Sequence, residues 1–179
     1  MSLCQQEDAD MPKKILIVDD FPVFREGLKA LLSDVASLDV IGEAENGEIA
    51  VIQTNLLRPD LILMDLVMPV INGIDATRSI KQLNSDIKVL ALTEQKSNDQ
   101  LMTTMAAGAD GYILKQDTTT SLLTAIECVL NGDVYLSSGV DDKAVSGSQA
   151  NAERTNNRSL WLKSTSRGRN FLSKSDKKT

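Results

Sequence analysis

The sequence predicts an α/β protein built on a doubly wound parallel sheet with helices on both faces. Five short apolar runs recur through residues 13–136, and segments of helical length separate them. The runs are continuously apolar rather than alternating, which indicates strands that are buried on both faces of a parallel sheet. Right-handed helical crossovers join strands of this kind. Residues 13–136 are therefore predicted to form one domain with a five-stranded sheet.

Aliphatic runs mark the predicted strands, and an amphipathic segment follows each of them. The strands are predicted at 15–18, 40–44, 61–64, 89–92 and 112–114. The helices are predicted at 23–32, 49–57, 74–83, 101–106 and 122–130. In the first helix Phe24, Leu28 and Leu32 recur on one face at four-residue spacing. Hydroxyl residues at 118–120 offer an N-cap for the last helix, and Gly132 offers a C-terminal stop.

Polar residues whose side chains can bind a metal ion or take part in a reaction stand directly after four of the five predicted strands. In an open parallel sheet, functional groups collect just beyond the carboxyl ends of the strands. The set is therefore expected to converge on one small patch, and it consists of Asp19 and Asp20 after the first strand, Asp65 after the third, Thr93 after the fourth and Lys115 after the fifth. The second strand ends in a turn and lies outside this set.

Three carboxylates in so small a space predict a site for a hard cation. They repel one another, and a bound Mg²⁺ relieves that repulsion, since Mg²⁺ takes oxygen ligands and is commonly held by one or two carboxylates and a phosphate. Asp65 is then placed to attack a phosphoryl group and form an acyl phosphate. Lys115 and the Thr93 hydroxyl would contact the phosphoryl oxygens.

Histidine is absent from the sequence. This excludes histidine acid–base catalysis, a zinc site of the usual His/Cys kind and a phosphohistidine within the chain. Any phosphoryl group must therefore arrive from another molecule.

The segments that flank the predicted domain are polar. Residues 1–12 are predicted to be a flexible leader, and residues 137–179 a linker and basic, disordered tail. Residues 1–140 carry 10 Lys and Arg against 21 Asp and Glu, whereas residues 141–179 carry 9 against 4. Such a charge run is more often a solvated tail than a nucleic-acid contact, so DNA binding by this chain is not expected. The role of Trp161 stays open. No apolar stretch predicts a membrane span or a signal peptide, so the expected location is the cytoplasm.

Four motifs together resemble the receiver domain of bacterial two-component response regulators, which has the CheY-like (flavodoxin-like) fold. They are "KKILIVDDFPVFREGLKALL", "PDLILMDLVMPVINGID", "KVLALTE" and "AAGADGYILK", in the order that the family has them. The resemblance covers residues 13–136 and implies the strand order 2-1-3-4-5. It implies a protein that is not an enzyme beyond its own aspartyl phosphorylation and dephosphorylation.

The resemblance assigns a role to each candidate site residue. Asp65 becomes the phospho-acceptor, served by a sensor histidine kinase or a phosphotransfer protein. Mg²⁺ is held by Asp19, Asp20, Asp65 and the backbone carbonyl of Val67. Thr93 and Lys115 contact the phosphate.

A switch is also implied by the resemblance. Thr93 and Tyr112 form it, and they couple the site to the surface of the fourth helix, fifth strand and fifth helix. That surface would control homodimerisation or the binding of a partner.

The sequence departs from the family pattern at one position. Gln116 stands where many receivers have a proline, so a trans peptide bond is expected there. In this respect the sequence is similar to regulators whose effector is a LuxR-type helix-turn-helix domain.

Three alternative interpretations of the chain remain. The first is a truncated or frame-shifted regulator of the LuxR type. A Mg²⁺-dependent phosphatase-like domain is disfavoured because Val67 stands where a second aspartate is needed. A flavodoxin-like domain is disfavoured because "VDDFP" would repel a phosphate in the absence of a metal.

Overall fold

A parallel sheet covered by helices forms the part of the chain that the computed structural model describes, residues 11–117 and 119–137. Its strands are β1 (Lys13–Val18), β2 (Leu38–Ala44), β3 (Leu61–Asp65), β4 (Lys88–Thr93), β5 (Gly111–Leu114) and β6 (Tyr135–Leu136). Its helices are α1 (Pro22–Ser33), α2 (Gly47–Leu57), α3 (Gly73–Leu83), α4 (Asn98–Ala106) and α5 (Thr119–Leu130). The predicted leader up to residue 10, the tail from residue 138 and Trp161 lie outside the described residues.

The strand order is β2-β1-β3-β4-β5-β6, and every pairing is parallel. The predicted doubly wound α/β fold with the order 2-1-3-4-5 is confirmed. One strand was not predicted, the two-residue β6 beside β5. It is held by a hydrogen bond from the Ser137 N–H to the Tyr112 carbonyl, 2.9 Å, and by one from the Ser137 hydroxyl to Asp117. Two residues are too few to produce a recognisable apolar run.

Alternate residues of each central strand pack against different helix layers. Ile15 and Ile17 of β1 face α1 and α5, which supply Leu28, Leu32 and Ile126. Leu16 and Val18 face the opposite layer, where α2 and α3 supply Ala50, Ala76 and Ile80. These four residues of β1 are fully buried, whereas Lys13 and Lys14 at its start are exposed. Burial on both faces explains why the central strands are continuously apolar in the sequence.

Local sequence sets the helix ends. Pro22 occupies the first turn of α1, where its missing N–H costs nothing. Side-chain caps begin the next three helices, as Asn46, Asn72 and Ser97 accept from backbone N–H groups of α2, α3 and α4. Gly132 takes a left-handed φ of 88° just after α5, which agrees with the predicted stop.

Two further features agree with the sequence. The peptide bonds of the described residues are trans, including the bond between Lys115 and Gln116. In that same part of the chain, the helices are too short or too polar to cross a bilayer.

Candidate functional site

Three carboxylates meet at the carboxyl edge of the sheet, as the strand-end positions predicted. Asp65 is the last residue of β3 and is 3% exposed, while Asp19 follows β1 and is fully buried. Asp20 is exposed to solvent beside them. Each offers a carboxylate oxygen within 4.8 Å of the others. The structure therefore brings the predicted acidic residues together in one cluster.

Lys115 forms ion pairs with two of the three carboxylates. Its Nζ is 2.7 Å from Asp19 Oδ2 and 3.0 Å from Asp65 Oδ2. The ammonium also stands over the ring of Phe24, 4.7 Å from its centroid, and cations are attracted to such ring faces. Lys115 thus balances part of the negative charge that Asp19 and Asp65 carry into the interior.

One buried oxygen of the cluster is not satisfied by this arrangement. Asp19 Oδ1 accepts from the Phe21 N–H at 2.8 Å, but Asp19 Oδ2 accepts no well-oriented hydrogen bond, although Lys115 Nζ is near. Among the residues that the structure describes, Lys115 is the one cation that pairs with Asp19 and Asp65, so the three carboxylates of the cluster keep excess negative charge. Together with the open side of the cluster at Asp20, it fits a divalent cation with oxygen ligands. Asp19, Asp20 and Asp65 are the residues that could hold such a cation.

Burial and charge shift the ionisation of the two central groups. Burial raises the pKa of Asp65, and the neighbouring Asp19 adds to the rise, while the ion pair with Lys115 opposes both. For Lys115, burial alone would lower the pKa, but the two carboxylates outweigh it and leave the pKa above its ordinary value. Lys115 is therefore a cation at neutral pH. Asp65 is harder to ionise than an ordinary aspartate while no metal is bound.

Asp65 also faces an open cleft of about 580 Å³. Its Oδ1 accepts from the Val67 N–H at 3.3 Å, and Val67 itself is 68% exposed at the rim. The cleft is lined in addition by Thr93, Lys115 and Phe21. The nucleophile predicted from the sequence thus lines this cleft. The predicted metal contact of the Val67 carbonyl stays a prediction.

Thr93 and Tyr112 form a second, uncharged cluster next to the carboxylates. Thr93 ends β4 and is 1% exposed, and Tyr112 of β5 is fully buried against Leu66, Ala91 and Leu101. Burial raises the pKa of the Tyr112 hydroxyl. Hydrogen bonding to the Thr93 side chain and to the Ser97 backbone lowers this pKa and so opposes the rise. The structure therefore places the two predicted switch residues side by side.

Two functional-site residues were not found from the sequence. Gln100 of α4 contacts both hydroxyls of the second cluster, and Phe24 of α1 contacts Lys115. Phe24 lies on the apolar face of a helix, so its spacing indicated only a core position. Gln100 is a single polar residue in a helix, and no short motif distinguishes it.

The family is decided by a comparison with known domains. The family model for the response regulator receiver domain matches residues 15–127. The chain belongs to the response regulator receiver family. Receivers of this family bind Mg²⁺ in an acidic pocket and interact with histidine kinases and phosphotransfer proteins. They are signalling proteins rather than enzymes in the usual sense.

Several relatives of this receiver are transcriptional regulators. It is 37% identical to the transcriptional regulatory protein DegU of Brevibacillus brevis over 123 residues, which are 69% of this chain and 52% of DegU. It is 33% identical to the nitrate/nitrite response regulator NarL of Escherichia coli K12 over 144 residues, 80% of this chain and 67% of NarL. The receiver thus spans about half the length of DegU.

Solved structures show the same architecture. A LuxR-family response regulator from Aurantimonas sp. SI85-9A1 superposes with a TM-score of 0.71 at 30% identity, covering 75% of this chain and 96% of that one. The signal receiver domain of NarL from Mycobacterium tuberculosis gives 0.66 at 28% identity, covering 68% and 98%. The receiver described here therefore has the fold of a LuxR-class receiver.

Proposed function

We propose that this receiver accepts a phosphoryl group on Asp65, in a Mg²⁺-dependent reaction, from a sensor histidine kinase or a phosphotransfer protein of the cytoplasm. The observation that carries the proposal is the buried Asp65 carboxylate, which faces an open cleft with Lys115 at 3.0 Å and two further carboxylates within 4.8 Å. Phosphoryl transfer depends mainly on positioning and on charge neutralisation, and these groups provide both.

The transfer conserves atoms and charge. An Asp65 carboxylate oxygen forms a bond to phosphorus while the bond from phosphorus to the donor's imidazole nitrogen breaks. The donor ring is protonated on its other nitrogen, so it takes the electron pair and leaves as neutral imidazole. Lys115 moves from its carboxylate partners to a phosphoryl oxygen. Thr93 donates its hydroxyl to another phosphoryl oxygen.

Mg²⁺ fits the carboxylates of the same site. Bound by Asp19, Asp20, Asp65 and the Val67 carbonyl, it would neutralise part of the charge on the transferred group. The buried Asp19 oxygen without a full hydrogen-bond partner supports this assignment.

The output proposed for the phosphorylated receiver is a changed surface. Thr93 ends β4 and shares the Gln100 side chain as a hydrogen-bond acceptor with Tyr112 of β5, so a shift of the Thr93 hydroxyl towards a phosphoryl group alters the packing beneath α4. The affected surface is formed by α4, β5 and α5, and we propose that it controls homodimerisation or binding of a partner. The names of the relatives support transcription as the process regulated, as in the LuxR-type alternative.

The direct test of this function is intact-mass analysis after incubation with acetyl phosphate. With Mg²⁺ the mass is expected to rise by one phosphoryl group. The same incubation in EDTA is the control and is expected to leave the mass unchanged. A mass that never changes, over a range of Mg²⁺ and donor concentrations, would contradict the proposal.

The raised pKa of Asp65 predicts that stabilisation by Mg²⁺ depends on pH. A carboxyl whose folded pKa is above its unfolded pKa stabilises the fold most at low pH, and that contribution is lost as the pH rises through the folded pKa. Mg²⁺ needs the ionised form, so its stabilising effect is expected to grow over the same interval. At 100 times its dissociation constant it would reach about 2.7 kcal/mol.

Thermal unfolding with and without Mg²⁺, measured from about pH 4 to about pH 8, checks this prediction. The Asp65→Asn variant is the control, and its response to Mg²⁺ is expected to be smaller and flatter with pH. An increment in melting temperature that is independent of pH in the parent protein would contradict the assignment of Asp65 as a ligand.

Replacing Thr93 by alanine is expected to separate phosphorylation from output. Lys115 and the carboxylates remain, so Asp65 is still phosphorylated, but the hydroxyl that couples the site to Tyr112 is lost. The phosphorylation-dependent change in self-association should fall about tenfold, the usual scale of such coupling. Sedimentation velocity at matched phosphorylated fractions measures it.

Thr104→Ala is a matched control for this variant. Thr104 is also fully buried, but its hydroxyl donates to the Gln100 backbone carbonyl within α4 and does not line the cleft. It should leave the response intact. An unchanged response in Thr93→Ala would show that the coupling runs through other residues.

A further inference from the structure

A single side-chain oxygen joins the two switch residues. Gln100 Oε1 accepts from the Thr93 hydroxyl at 3.0 Å and from the Tyr112 hydroxyl at 3.2 Å. Gln100 is fixed in the first turn of α4, where its backbone N–H donates to the cap residue Ser97 at 3.2 Å. The carboxamide thus ties the start of α4 to the carboxyl ends of both β4 and β5.

The Thr93 hydroxyl can donate one hydrogen bond at a time, because it carries one proton. Here its shortest acceptor is Gln100 Oε1, and the Gln95 carbonyl is more distant at 3.3 Å. A phosphoryl oxygen on Asp65 would need the same proton. A charged phosphoryl oxygen is a stronger acceptor than an amide oxygen. A Thr93 hydroxyl that donates to the phosphoryl group therefore cannot donate to Gln100 at the same time.

The phosphoryl group does not compete for the Tyr112 hydroxyl. Its hydroxyl donates to Gln100 Oε1 at 3.2 Å and has the Gln95 carbonyl at 3.4 Å as its other acceptor. Tyr112 is fully buried, and it packs against Leu101 of α4. The bond from Tyr112 to Gln100 can persist when Thr93 leaves.

We infer that Gln100 is a positioning residue that competes with the phosphoryl group for the Thr93 hydroxyl, and that the result of this competition sets the position of α4. In the unphosphorylated receiver Gln100 accepts the Thr93 hydrogen bond, and this bond makes phosphorylation less favourable. In the phosphorylated receiver Gln100 retains its hydrogen bond with Tyr112 and loses the one with Thr93. The first turn of α4 is then no longer bonded to β4 but remains bonded to β5. The inference rests on the proposed phosphorylation of Asp65.

Gln100→Met tests the competition, because methionine has nearly the same length and cannot accept these bonds as an amide does. The probe is beryllofluoride with Mg²⁺, and its dissociation constant is measured by ¹⁹F NMR or calorimetry on the full chain. Without its competitor, the Thr93 hydroxyl is free for the probe, so binding is expected to tighten about two- to tenfold, the range of one net hydrogen bond. Gln82→Met, at an exposed site on α3, is the control and should bind like the parent.

Two backgrounds distinguish competition from a general effect on α4. In a Thr93→Val background Gln100→Met should no longer change the dissociation constant, since there is no hydroxyl to release. In a Tyr112→Phe background the tightening should persist. A structural role of Gln100 in supporting α4 would instead act alike in both backgrounds.

The possible results distinguish a failure of this inference from a failure of the proposed function. If the parent binds beryllofluoride but Gln100→Met leaves the constant unchanged or weakens it, the competition is wrong and the phosphorylation site stands. Tightening that survives in Thr93→Val also overturns the inference. If the parent itself binds no beryllofluoride and takes no phosphoryl group, the proposed function and this inference both fail.

Discussion

Replacing Asp65 by asparagine is expected to abolish phosphoryl transfer to the chain. Asparagine has nearly the same shape, so the packing at the end of β3 is retained. Its amide is not the nucleophile that a carboxylate is, and it cannot form an acyl phosphate. In intact-mass analysis with Mg²⁺ and acetyl phosphate, the variant should stay at the mass of the unmodified chain.

The same substitution should not unfold the protein. Burial raises the pKa of Asp65, which means that the ionised form is disfavoured in the metal-free site. A neutral side chain there is expected to raise the melting temperature in EDTA by about 2–5 °C, a modest gain for a domain of this size. Loss of the label with the fold retained would therefore assign the reaction to Asp65.

Asp39→Asn is the matched control for this experiment. Asp39 lies on β2 with its side chain exposed, and its removal changes the net charge by the same amount. That variant should take the label like the parent. If Asp65→Asn were labelled as fully as Asp39→Asn, another group would be the acceptor, and the exposed Asp20 beside it would be the first to examine.

The fold and the charged part of the site could be predicted because both depend on local sequence. Each buried strand is a continuous apolar run, and β3 is buried along its whole length, Asp65 included. In a parallel sheet the strand ends meet at one edge, so Asp19, Asp65 and Lys115 had to approach one another once the strands were identified.

The parts that could not be predicted depend on contacts between distant residues. Gln100 meets Thr93 and Tyr112 only after α4 has packed on the sheet. Phe24 contacts Lys115 from a helix 91 positions earlier in the chain. Helix ends were predicted a few residues short where a polar cap lies outside the apolar pattern, as at α4, which begins at Asn98 rather than at Leu101.

Replacing Gly73 by alanine is expected to cause the largest loss of stability among single methyl additions to the site. Gly73 is the first residue of α3, directly after the loop that follows Asp65. A Cβ there would lie 1.9 Å from the Asp65 carbonyl oxygen and 2.9 Å from the Leu66 Cα. Both atoms belong to the backbone, so no side chain can rotate to relieve the overlap. The position requires glycine for a close approach of two backbone segments, and not for its torsion angles.

The end of β3 must move if the methyl group is to be accommodated, and Asp65 moves with it. We expect the free energy of unfolding to fall by about 3 kcal/mol or more, measured by urea denaturation, because overlap with backbone relaxes less than overlap with a side chain. The phosphorylation rate of the remaining folded protein should also fall, since displacement of a nucleophile by about 1 Å can cost on the order of 10²-fold.

Gly27→Ala is the control, and it should change stability in the opposite direction. Gly27 is exposed in α1, and a Cβ there would meet nothing within 4 Å. Alanine favours a helix interior by roughly 0.8–1 kcal/mol over glycine, so this variant should be slightly more stable and should be phosphorylated normally. If Gly73→Ala were as stable as Gly27→Ala, the loop after Asp65 would have room that the structure does not show. The close contact between Gly73 and Asp65 could then not be what fixes the position of the phosphorylation site.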